Sequence, residues 1–360
     1  MDAASFSKTY AEARERFLAA ARARRLDVES HVLPGLHGVD GETLAMDVAL
    51  AGEASAPGLL VLWSATHGVE GHCGSGCQTA FLRDDGFMRA IDDAGAAVLF
   101  VHALNAHGFS YGRRANEDNV DLNRNFRDFG EPAPVNAAYA EIHELLLPAT
   151  WPPPPASEAQ LGAWIASHGE AAFQAAVSGG QYRYPDGLFY GGTKPTWSNR
   201  TLRAVMKHHG SKRRQLAVID FHTGLGPRGH GEKIYNGRAD AADIERTRAW
   251  WGKDVTSFLD GTSSSAPLVG INGGAISEEC PGVPYASIAL EYGTLPLREM
   301  LGVLRADHWL YNHPEAPARV SDVIRQQVRD AFYIDADDWK TQILAQALTA
   351  ARAALERLAR

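Results

Sequence analysis

Cysteine is scarce in this sequence, which has three cysteines among 360 residues. Their uneven positions, 73, 77 and 280, do not provide the paired spacing of a disulfide-stabilised domain. Cys73 and Cys77 are four residues apart and could face each other on a helix, where two thiolates can bind a metal ion. Because no further cysteine pair completes such a site, this spacing is only weak support for metal binding.

The sequence also lacks the features of membrane-spanning and secreted proteins. No stretch approaches the roughly 20 apolar residues that a membrane-spanning helix needs. The first residues form no basic leader followed by an apolar core. We therefore expect a cytoplasmic protein without membrane contact. Nucleic acid is not an expected partner, because the net charge is −8 and no basic block is present.

Apolar runs and helical patterns alternate along the chain. With 45% hydrophobic residues, the sequence can form one large core or two ordinary domains. Buried strands separated by helices are typical of an α/β sheet that is covered on both faces. We predict a single α/β domain over residues 1–360, with a mixed, mostly parallel central sheet flanked by helices on both faces. Residues 296–360 are predicted to form a helical C-terminal segment.

Four apolar runs each end in a polar residue that can take part in binding or catalysis. These residues are His67, Asn105, His222 and Glu291. In open α/β sheets, the ligand-binding crevice lies beyond the carboxyl ends of the strands. If the four strands are parallel neighbours, these side chains converge on one cleft.

Two histidines and a glutamate near these strand ends are plausible zinc ligands. His67 and Glu70 are three residues apart, and His222 can complete a His₂Glu site with a free position for water. Asp220, two residues before His222, can orient its imidazole. Glu291 can take a proton from the water molecule. The alternative is that each histidine is a hydrogen-bonded structural residue.

The most specific string in the chain is Asp121-Leu-Asn-Arg-Asn-Phe126. Together with His67-Gly-Val-Glu70 upstream, it resembles the zinc carboxypeptidases, the carboxypeptidase A-like metallopeptidases. The other parts of the family pattern, including a later histidine and glutamate after strands, follow in the same order. The resemblance covers about residues 55–310. By itself, the polar segment could also be a solvated loop with two arginines.

The resemblance implies a metal site and a catalytic base. His67, Glu70 and His222 would hold one Zn²⁺ ion. Glu291 would act as the general base and would then donate a proton to the leaving amine. His67, His222 and Glu291 are also three of the four residues at the predicted strand ends.

The resemblance also implies residues that bind the substrate. Asn123 and Arg124 would bind its terminal carboxylate, for which a guanidinium group is well suited. Arg114 would polarise the scissile carbonyl and stabilise the oxyanion, and its neighbour Arg113 is a second candidate. Ile276 would lie at the base of the pocket for the terminal side chain and would favour an apolar one.

The sequence departs from the family pattern at two places. The family's Asn-Pro-Asp-Gly is replaced by Asn105-Ala-His-Gly, so a rigid proline is missing. The family's tyrosine would fall near Val269 or Gly270, and neither side chain can form a hydrogen bond. Tyr285 and Tyr292 are the candidates to replace it.

Residues 148–200 form an insertion between Glu70 and His222. Glycines, prolines and aromatic residues dominate its second half. We predict that the insertion overhangs the cleft and restricts the size of the substrate. The alternative is that it packs on the far surface. Its aromatic residues are Tyr182, Tyr184, Phe189 and Tyr190.

The resemblance implies zinc-dependent hydrolysis of an amide bond. The first hypothesis is a metallocarboxypeptidase that acts on a short peptide with a free carboxylate. The second is a deacylase of N-acyl amino acids, similar to the aspartoacylase and desuccinylase relatives. The third is a non-catalytic metal- or peptide-binding protein, although such a protein has no need for Glu291. The sequence does not indicate the oligomeric state.

Overall fold

Seven strands form one twisted sheet in the computed structural model, which describes residues 3–359. The sheet has the order β1-β2-β4-β3-β5-β7-β6. The strands are Val28–His37 (β1), Thr43–Ala51 (β2), Gly58–Trp63 (β3), Ala97–His102 (β4), Gln215–Gly224 (β5), Gly231–Tyr235 (β6) and Tyr285–Gly293 (β7).

The four central strands, β4, β3, β5 and β7, are parallel to one another. Antiparallel strands complete the sheet at both sides, with β2 and β1 beyond β4 and β6 beyond β7. The predicted α/β class with a mixed, largely parallel sheet is therefore confirmed. Parallel strands point the same way, so their carboxyl ends lie along a single edge of the sheet.

Helices cover both faces of the sheet, as predicted. They are Tyr10–Ala23 (α1), Gly71–Arg83 (α2), Asp85–Ala94 (α3), Ala106–Tyr111 (α4), Ala137–Leu146 (α5), Pro155–His168 (α6), Glu170–Ser178 (α7), Trp197–Gly210 (α8), Ala241–Trp251 (α9), Gly274–Glu279 (α10), Leu297–Asn312 (α11), Ala318–Phe332 (α12) and Asp337–Leu358 (α13). None of the helices within residues 3–359 combines the length and apolarity that a bilayer span requires.

The central strand β3 explains why both faces must be covered. Its residues alternate between the two faces: Leu60 and Leu62 pack with α2 and α13, whereas Leu59 and Val61 pack with α8 and α10. All of its side chains are fully buried. Each buried leucine or valine side chain contributes about 1.5–3 kcal/mol through removal from water. The burial of β3 therefore stabilises the position of the strand that directly precedes His67 and Glu70.

A third apolar cluster lies beside the carboxyl edge of the sheet. It joins α5, α6 and α7 to the two helices α11 and α12, and Tyr139, Phe173 and Trp309 are among its buried residues. Most of residues 297–358 belong to the three helices α11, α12 and α13. These helices do more than extend the chain, because α11 and α12 form one wall of the cleft described next.

Candidate metal centre and its cleft

The carboxyl ends of β3, β5 and β7 bring the predicted residues together. A short 3-10 turn, Gly68–Glu70, follows β3; His67 immediately precedes this turn and Glu70 is its last residue. His222 on β5 pairs directly with Glu291 on β7. Their proximity thus follows from the parallel register of neighbouring strands, as expected for this class of sheet.

The turn after β3 is held by a neighbouring loop and requires a glycine. The backbone N–H groups of Gly68 and Val69 donate to the carbonyl oxygens of Arg114 (3.1 Å) and Arg113 (2.9 Å). A Cβ atom at Gly68 would lie 2.0 Å from the carbonyl carbon of Gly108. No larger residue fits this approach, so the glycine sets the position of the flanking His67 and Glu70.

His67, Glu70 and His222 form a buried group that could hold a metal ion. One candidate ligand atom from each residue lies within 4.8 Å of the other two. The two imidazole ring centroids are 5.0 Å apart. All three residues are buried. The structure therefore brings together the three ligands that the sequence predicted.

Hydrogen bonding shows that His67 is neutral. Nη2 of Arg114 can only donate, so Nε2 of His67, 2.7 Å away, accepts. Burial, and then the charge of Arg114, hold the pKa of His67 well below its usual range. A neutral imidazole is the form that binds a metal ion.

His222 lies between two carboxylates. Nε2 is 2.7 Å from Oδ2 of Asp220, and Nδ1 is 3.1 Å from Oε2 of Glu70. Burial lowers the pKa of His222, but Asp220 and Glu70 outweigh it and raise the pKa well above its usual value. In this arrangement both ring nitrogens carry protons, and a metal ion at Nδ1 would displace one of them. Asp220 orients the imidazole as predicted.

Arg114 provides the positive charge that the buried carboxylates require. Its Nη1 donates to Oε1 of Glu70 (3.0 Å), and its Nε donates to Oδ2 of Asp121 (3.1 Å). Burial opposes the charge of Asp121, yet the nearby positive charges, of which that of Arg114 has the largest effect, together outweigh burial and hold the pKa of this carboxyl far below its usual range. Arg114 therefore lies within the site, where it contacts Glu70 and His67 directly.

Glu291 completes the polar end of the cleft. Its Oε1 accepts a hydrogen bond from the backbone N–H of Leu225 (2.9 Å). Burial, and then the charge of Glu70, raise the pKa of Glu291 to about 7. A carboxyl group with such a pKa can take up and release a proton near neutrality.

The donor set fits a divalent cation that prefers imidazole and carboxylate ligands. Nδ1 of His67 is buried and makes no hydrogen bond within residues 3–359, although Oδ1 of Asp121 lies 3.4 Å away. Two imidazoles and one carboxylate are a known zinc ligand set with an open fourth position. Asp220 lies 2.7 Å from Nε2 of His222, so Nδ1 is the nitrogen available to an ion, and this is the usual arrangement of an outer partner of a metal ligand.

Asn123 and Arg124 lie on a second 3-10 turn, Leu122–Arg124, and line the same cleft. Arg124 is buried, and its Nη1 and Nη2 donate to the carbonyl oxygens of Asn123 (2.7 Å) and Ser178 (2.6 Å). Its Nε has no hydrogen-bond partner, and no carboxylate forms an ion pair with it in the described part of the chain. A buried cation without an anionic partner is costly unless a ligand supplies the anion.

Two predicted residues lie outside the cleft. Arg113 points to α11, where its Nε donates to Asp307 (3.1 Å) and its Nη2 donates to Asn119 (2.9 Å). Ile276 is fully buried on α10 and packs against the sheet. The prediction that Ile276 forms the base of a pocket is therefore corrected, because the inward face of a short helix belongs to the core. Ile271 lines the cleft instead.

Asn105 and the two candidate tyrosines, Tyr285 and Tyr292, have structural roles. Oδ1 of Asn105 accepts from the N–H of Gly108 (2.8 Å), and its Nδ2 donates to the carbonyl oxygen of Arg114 (3.1 Å). The hydroxyl of Tyr285 accepts from the N–H of Arg238 (3.1 Å), and that of Tyr292 donates to Ile343 (3.2 Å). Neither tyrosine lines the cleft, so neither replaces the missing family tyrosine.

The segment predicted to overhang the cleft contributes part of its lining. Gln174, Ser178 and Phe189 line it, and the Phe189 ring lies 5.0 Å from the guanidinium carbon of Arg114. Two other aromatic residues of this segment contact residues around the cleft. The Tyr182 hydroxyl donates to the carbonyl oxygen of Arg124 (2.7 Å), and the carbonyl oxygen of Tyr190 accepts from the backbone N–H of Asp121. The Tyr184 ring stacks on His143. The helices α11 and α12 contribute an apolar part of the lining, which consists of Leu297, Met300, Leu301, Leu304 and Phe332.

Some residues of the site were not predicted to have a role. Asp121 is the first residue of the string Asp121-Leu-Asn-Arg-Asn-Phe126, and this position could have identified it as a residue of the site, where it contacts His67 and Arg114. Nδ2 of Asn272 donates to Asp220 (2.6 Å) and to the hydroxyl of Thr66 (2.9 Å). No local pattern marks Asn272, because its contacts are with residues far away in sequence.

We expect the substitution Asp220→Asn to weaken zinc binding by about 10- to 100-fold, the usual cost of losing an outer partner of a metal ligand. The physical reason is that asparagine keeps the shape but loses the charge that holds the His222 imidazole. Competition with a chromophoric chelator measures the affinity. Asp40→Asn on the exposed β1–β2 turn is the control. Equal affinities for the two variants would contradict the assigned role of Asp220.

Solved structures with a similar fold are carboxypeptidases and their relatives. Thrombin activatable fibrinolysis inhibitor has a TM-score of 0.54 and 10% identity, with 98% of this chain and 74% of that chain covered. Carboxypeptidase A from Helicoverpa armigera has a TM-score of 0.44 and 12% identity, with 96% and 73% covered. A metallo-carboxypeptidase from Burkholderia cenocepacia has a TM-score of 0.40 and 11% identity, with 93% and 68% covered.

The chain thus has the α/β fold of the carboxypeptidase A-like metallopeptidases, and this fold carries a buried group of residues that could hold a metal ion. At such low identity, the likeness establishes the fold alone. Residues 6–346 match the model of a family described as "Protein of unknown function (DUF2817)", and the chain belongs to this family. A search of curated proteins found no match.

Proposed function

We propose that the protein is a zinc-dependent metallohydrolase, and more specifically a metallocarboxypeptidase that cleaves the C-terminal amide bond of a short peptide. The observation that carries this proposal is the buried group of His67, Glu70 and His222, with Glu291 on the adjacent strand. A binding protein would need the first three residues only. The fourth is the kind of group that hydrolysis requires.

His67, Glu70 and His222 would hold the ion. Zn²⁺ bound there would polarise a water molecule and the scissile carbonyl as a Lewis acid. Glu70 is already the anionic partner of Arg114, whose Nη1 lies 3.0 Å from its carboxylate. With an ion bound, the carboxylate of Glu70 would interact with the ion as well as with Arg114, and the ion pair between Glu70 and Arg114 would be weaker. The guanidinium group could then donate to an oxyanion on the substrate.

Glu291 would move the protons of the reaction. In its ionised form it takes a proton from the attacking water molecule, and in its protonated form it donates that proton to the leaving amine. A pKa of about 7, raised by burial and by the charge of Glu70, makes both forms accessible. The hydrogen bond from Leu225 fixes one carboxylate oxygen and leaves the other for the proton transfer.

Arg124 and Asn123 would recognise the free carboxylate of the substrate. Arg124 is buried without a carboxylate partner among residues 3–359, and its Nε is an unused donor. Oδ1 of Asn123 accepts a hydrogen bond from the backbone N–H of Asn272 (3.0 Å), so Nδ2 of Asn123 is available as a second donor to the substrate. A carboxylate in this part of the cleft would satisfy both groups with charge-assisted hydrogen bonds.

We expect Arg124→Met to raise KM for a free-carboxylate substrate by about 10- to 100-fold, since a hydrogen bond to a charged group contributes about 1.5–3 kcal/mol. Arg124→Lys should recover part of the loss. Zinc content should not change in either variant. Arg127→Met is the matched control, because the Arg127 guanidinium donates to backbone carbonyls of its own loop. An unchanged KM in Arg124→Met would remove this residue from substrate recognition.

A deacylase of N-acyl amino acids is the second candidate. The small volume of the cleft favours it, because only about 100 Å³ is free within a lining that includes Phe189, Met300 and Phe332. Zinc-reconstituted protein should be assayed with N-blocked dipeptides and with N-acyl amino acids that carry the same free carboxylate. Activity on the dipeptides supports the carboxypeptidase proposal. Activity confined to acyl amino acids would replace it with the deacylase.

A further inference from the structure

A second cluster of metal-ligating side chains lies at the opposite side of the sheet from β5 and β7. Glu29, His208 and His209 each offer one ligand atom, and these atoms lie within 4.8 Å of one another. Glu29 belongs to β1, the edge strand that β2 and β4 separate from β3. The cluster is therefore a separate feature from the cleft of His67 and Glu70.

The register of the β1–β2 pair explains how the cluster forms. Glu29 pairs with Val48, and His31 pairs with Met46, so Glu29 and His31 lie on the face of the sheet to which these apolar residues belong. Val48 and Met46 pack with Met206 of α8. The last turn of α8, which carries His208 and His209, therefore lies over the same face.

One ring nitrogen of His209 and one of the neighbouring His31 lack a hydrogen-bond partner within residues 3–359. The His209 side chain is 9% exposed, and its Nε2 lies 3.2 Å from Oε1 of Glu29. Nε2 of His31 lies 3.8 Å from Oε2 of the same carboxylate. Both nitrogen atoms are buried, and neither makes a properly directed hydrogen bond within residues 3–359. Two buried imidazole nitrogens thus approach one carboxylate from its two oxygens.

The surroundings of the cluster suit a cation. The site lies at the carboxyl end of α8, where the helix dipole is negative. Arg213 is nearby, but its Nε and Nη1 donate to the carbonyl oxygens of His209 (2.8 Å) and Ala56 (2.6 Å) and not to Glu29. The carboxylate of Glu29 therefore has imidazoles, and no guanidinium or ammonium group of the described chain, as its close partners.

We propose that Glu29, His208 and His209 bind a divalent transition-metal ion of the zinc type, with His31 beside them as a further ligand. Imidazole and carboxylate ligands suit Zn²⁺ and Ni²⁺ and do not suit Ca²⁺ or Mg²⁺, which require more oxygen atoms. The bound ion joins the edge strand β1 to α8. It therefore stabilises the folded chain by an amount that rises with the logarithm of the free zinc concentration once this exceeds Kd.

Zinc binding to a variant without the first metal group tests the proposal. In the double variant His67→Ala/His222→Ala, equilibrium dialysis with Zn²⁺ alone should give one saturable ion per chain. Adding His208→Ala and His209→Ala removes two ligands and should weaken zinc binding by more than about 100-fold. Loss of a residue that only supports a ligand typically costs about 10- to 100-fold. Adding His168→Ala, an exposed histidine on α6, is the control and should change nothing.

The wild-type chain provides a second test that does not depend on the folding of the double variant. The substitutions Glu29→Gln and His209→Gln together should lower the zinc stoichiometry by one ion per chain and remove part of the thermal stabilisation by zinc. This difference is expected whether or not the cleft binds zinc or has hydrolase activity. A stoichiometry and thermal shift equal to those of the wild type would overturn the proposal.

Discussion

Replacing Glu291 with glutamine is expected to lower kcat by about 10²- to 10⁴-fold, the usual contribution of a general base or acid. Glutamine has the shape of glutamate but cannot take a proton from water. The side chain would still accept the hydrogen bond from Leu225, so the fold of β7 should be kept. Bound zinc should remain, because Glu291 is not among the three predicted ligands. Steady-state kinetics and metal analysis of the same preparation measure both effects.

Glu232 offers a matched control for this experiment. It pairs with Glu291 across β6 and β7, but its carboxylate accepts hydrogen bonds from Thr256 and Ser264 and does not line the cleft. Glu232→Gln should therefore retain activity. If hydrolysis survives Glu291→Gln, another group acts as the base. If neither the wild type nor the control variant hydrolyses any tested amide, the non-catalytic hypothesis gains support.

Removal of the metal ion is expected to abolish hydrolysis, and addition of Zn²⁺ should restore it. Without the ion, nothing in the cleft but Arg114 polarises the substrate, and Arg114 is held by Glu70 and Asp121. Chelation should also lower the melting temperature, because a ligand at 100 times its Kd stabilises the folded state by about 2.7 kcal/mol. Activity and thermal unfolding should be followed during dialysis against a chelator and then during titration with zinc.

The variant His222→Ala separates the loss of the ion from other effects of the chelator. It should be inactive at every zinc concentration, because only two of the three ligands remain in the cleft. His230→Ala is the control, since His230 is exposed near the start of β6 and outside the cleft lining. Full activity of the metal-free wild type would refute the proposed metallohydrolase chemistry.

The metal group could be predicted from the sequence because its members follow strands that are strongly apolar. The runs that end before His67 and His222, and the run that ends at Glu291, form the strands β3, β5 and β7. The carboxyl ends of parallel strands lie along one edge of a sheet, so residues at the ends of the neighbouring strands β3, β5 and β7 lie close together. The same pattern placed Asp220 behind His222.

The roles of neighbouring residues could not be separated in this way. Arg113 and Arg114 are adjacent in sequence, yet one pairs with Asp307 on α11 and the other with Glu70 in the cleft. Alternate side chains of an extended segment point in opposite directions, and only the packing of α11 decides which direction faces the site. Ile276 was misplaced for a similar reason, because the position of α10 against the sheet depends on contacts with α8.

The sequence by itself determined the buried strands and the positions of His67, Glu70, His222 and Glu291 near their carboxyl ends. Local patterns of apolar residues produce these features, so they can be recognised before any distance is known. Tertiary structure decided which arginine enters the cleft, how Asn272 supports Asp220 and which helices form the walls. It also brought Glu29 to His209, since a contact between an edge strand and a helix end depends on the packing of the whole sheet face.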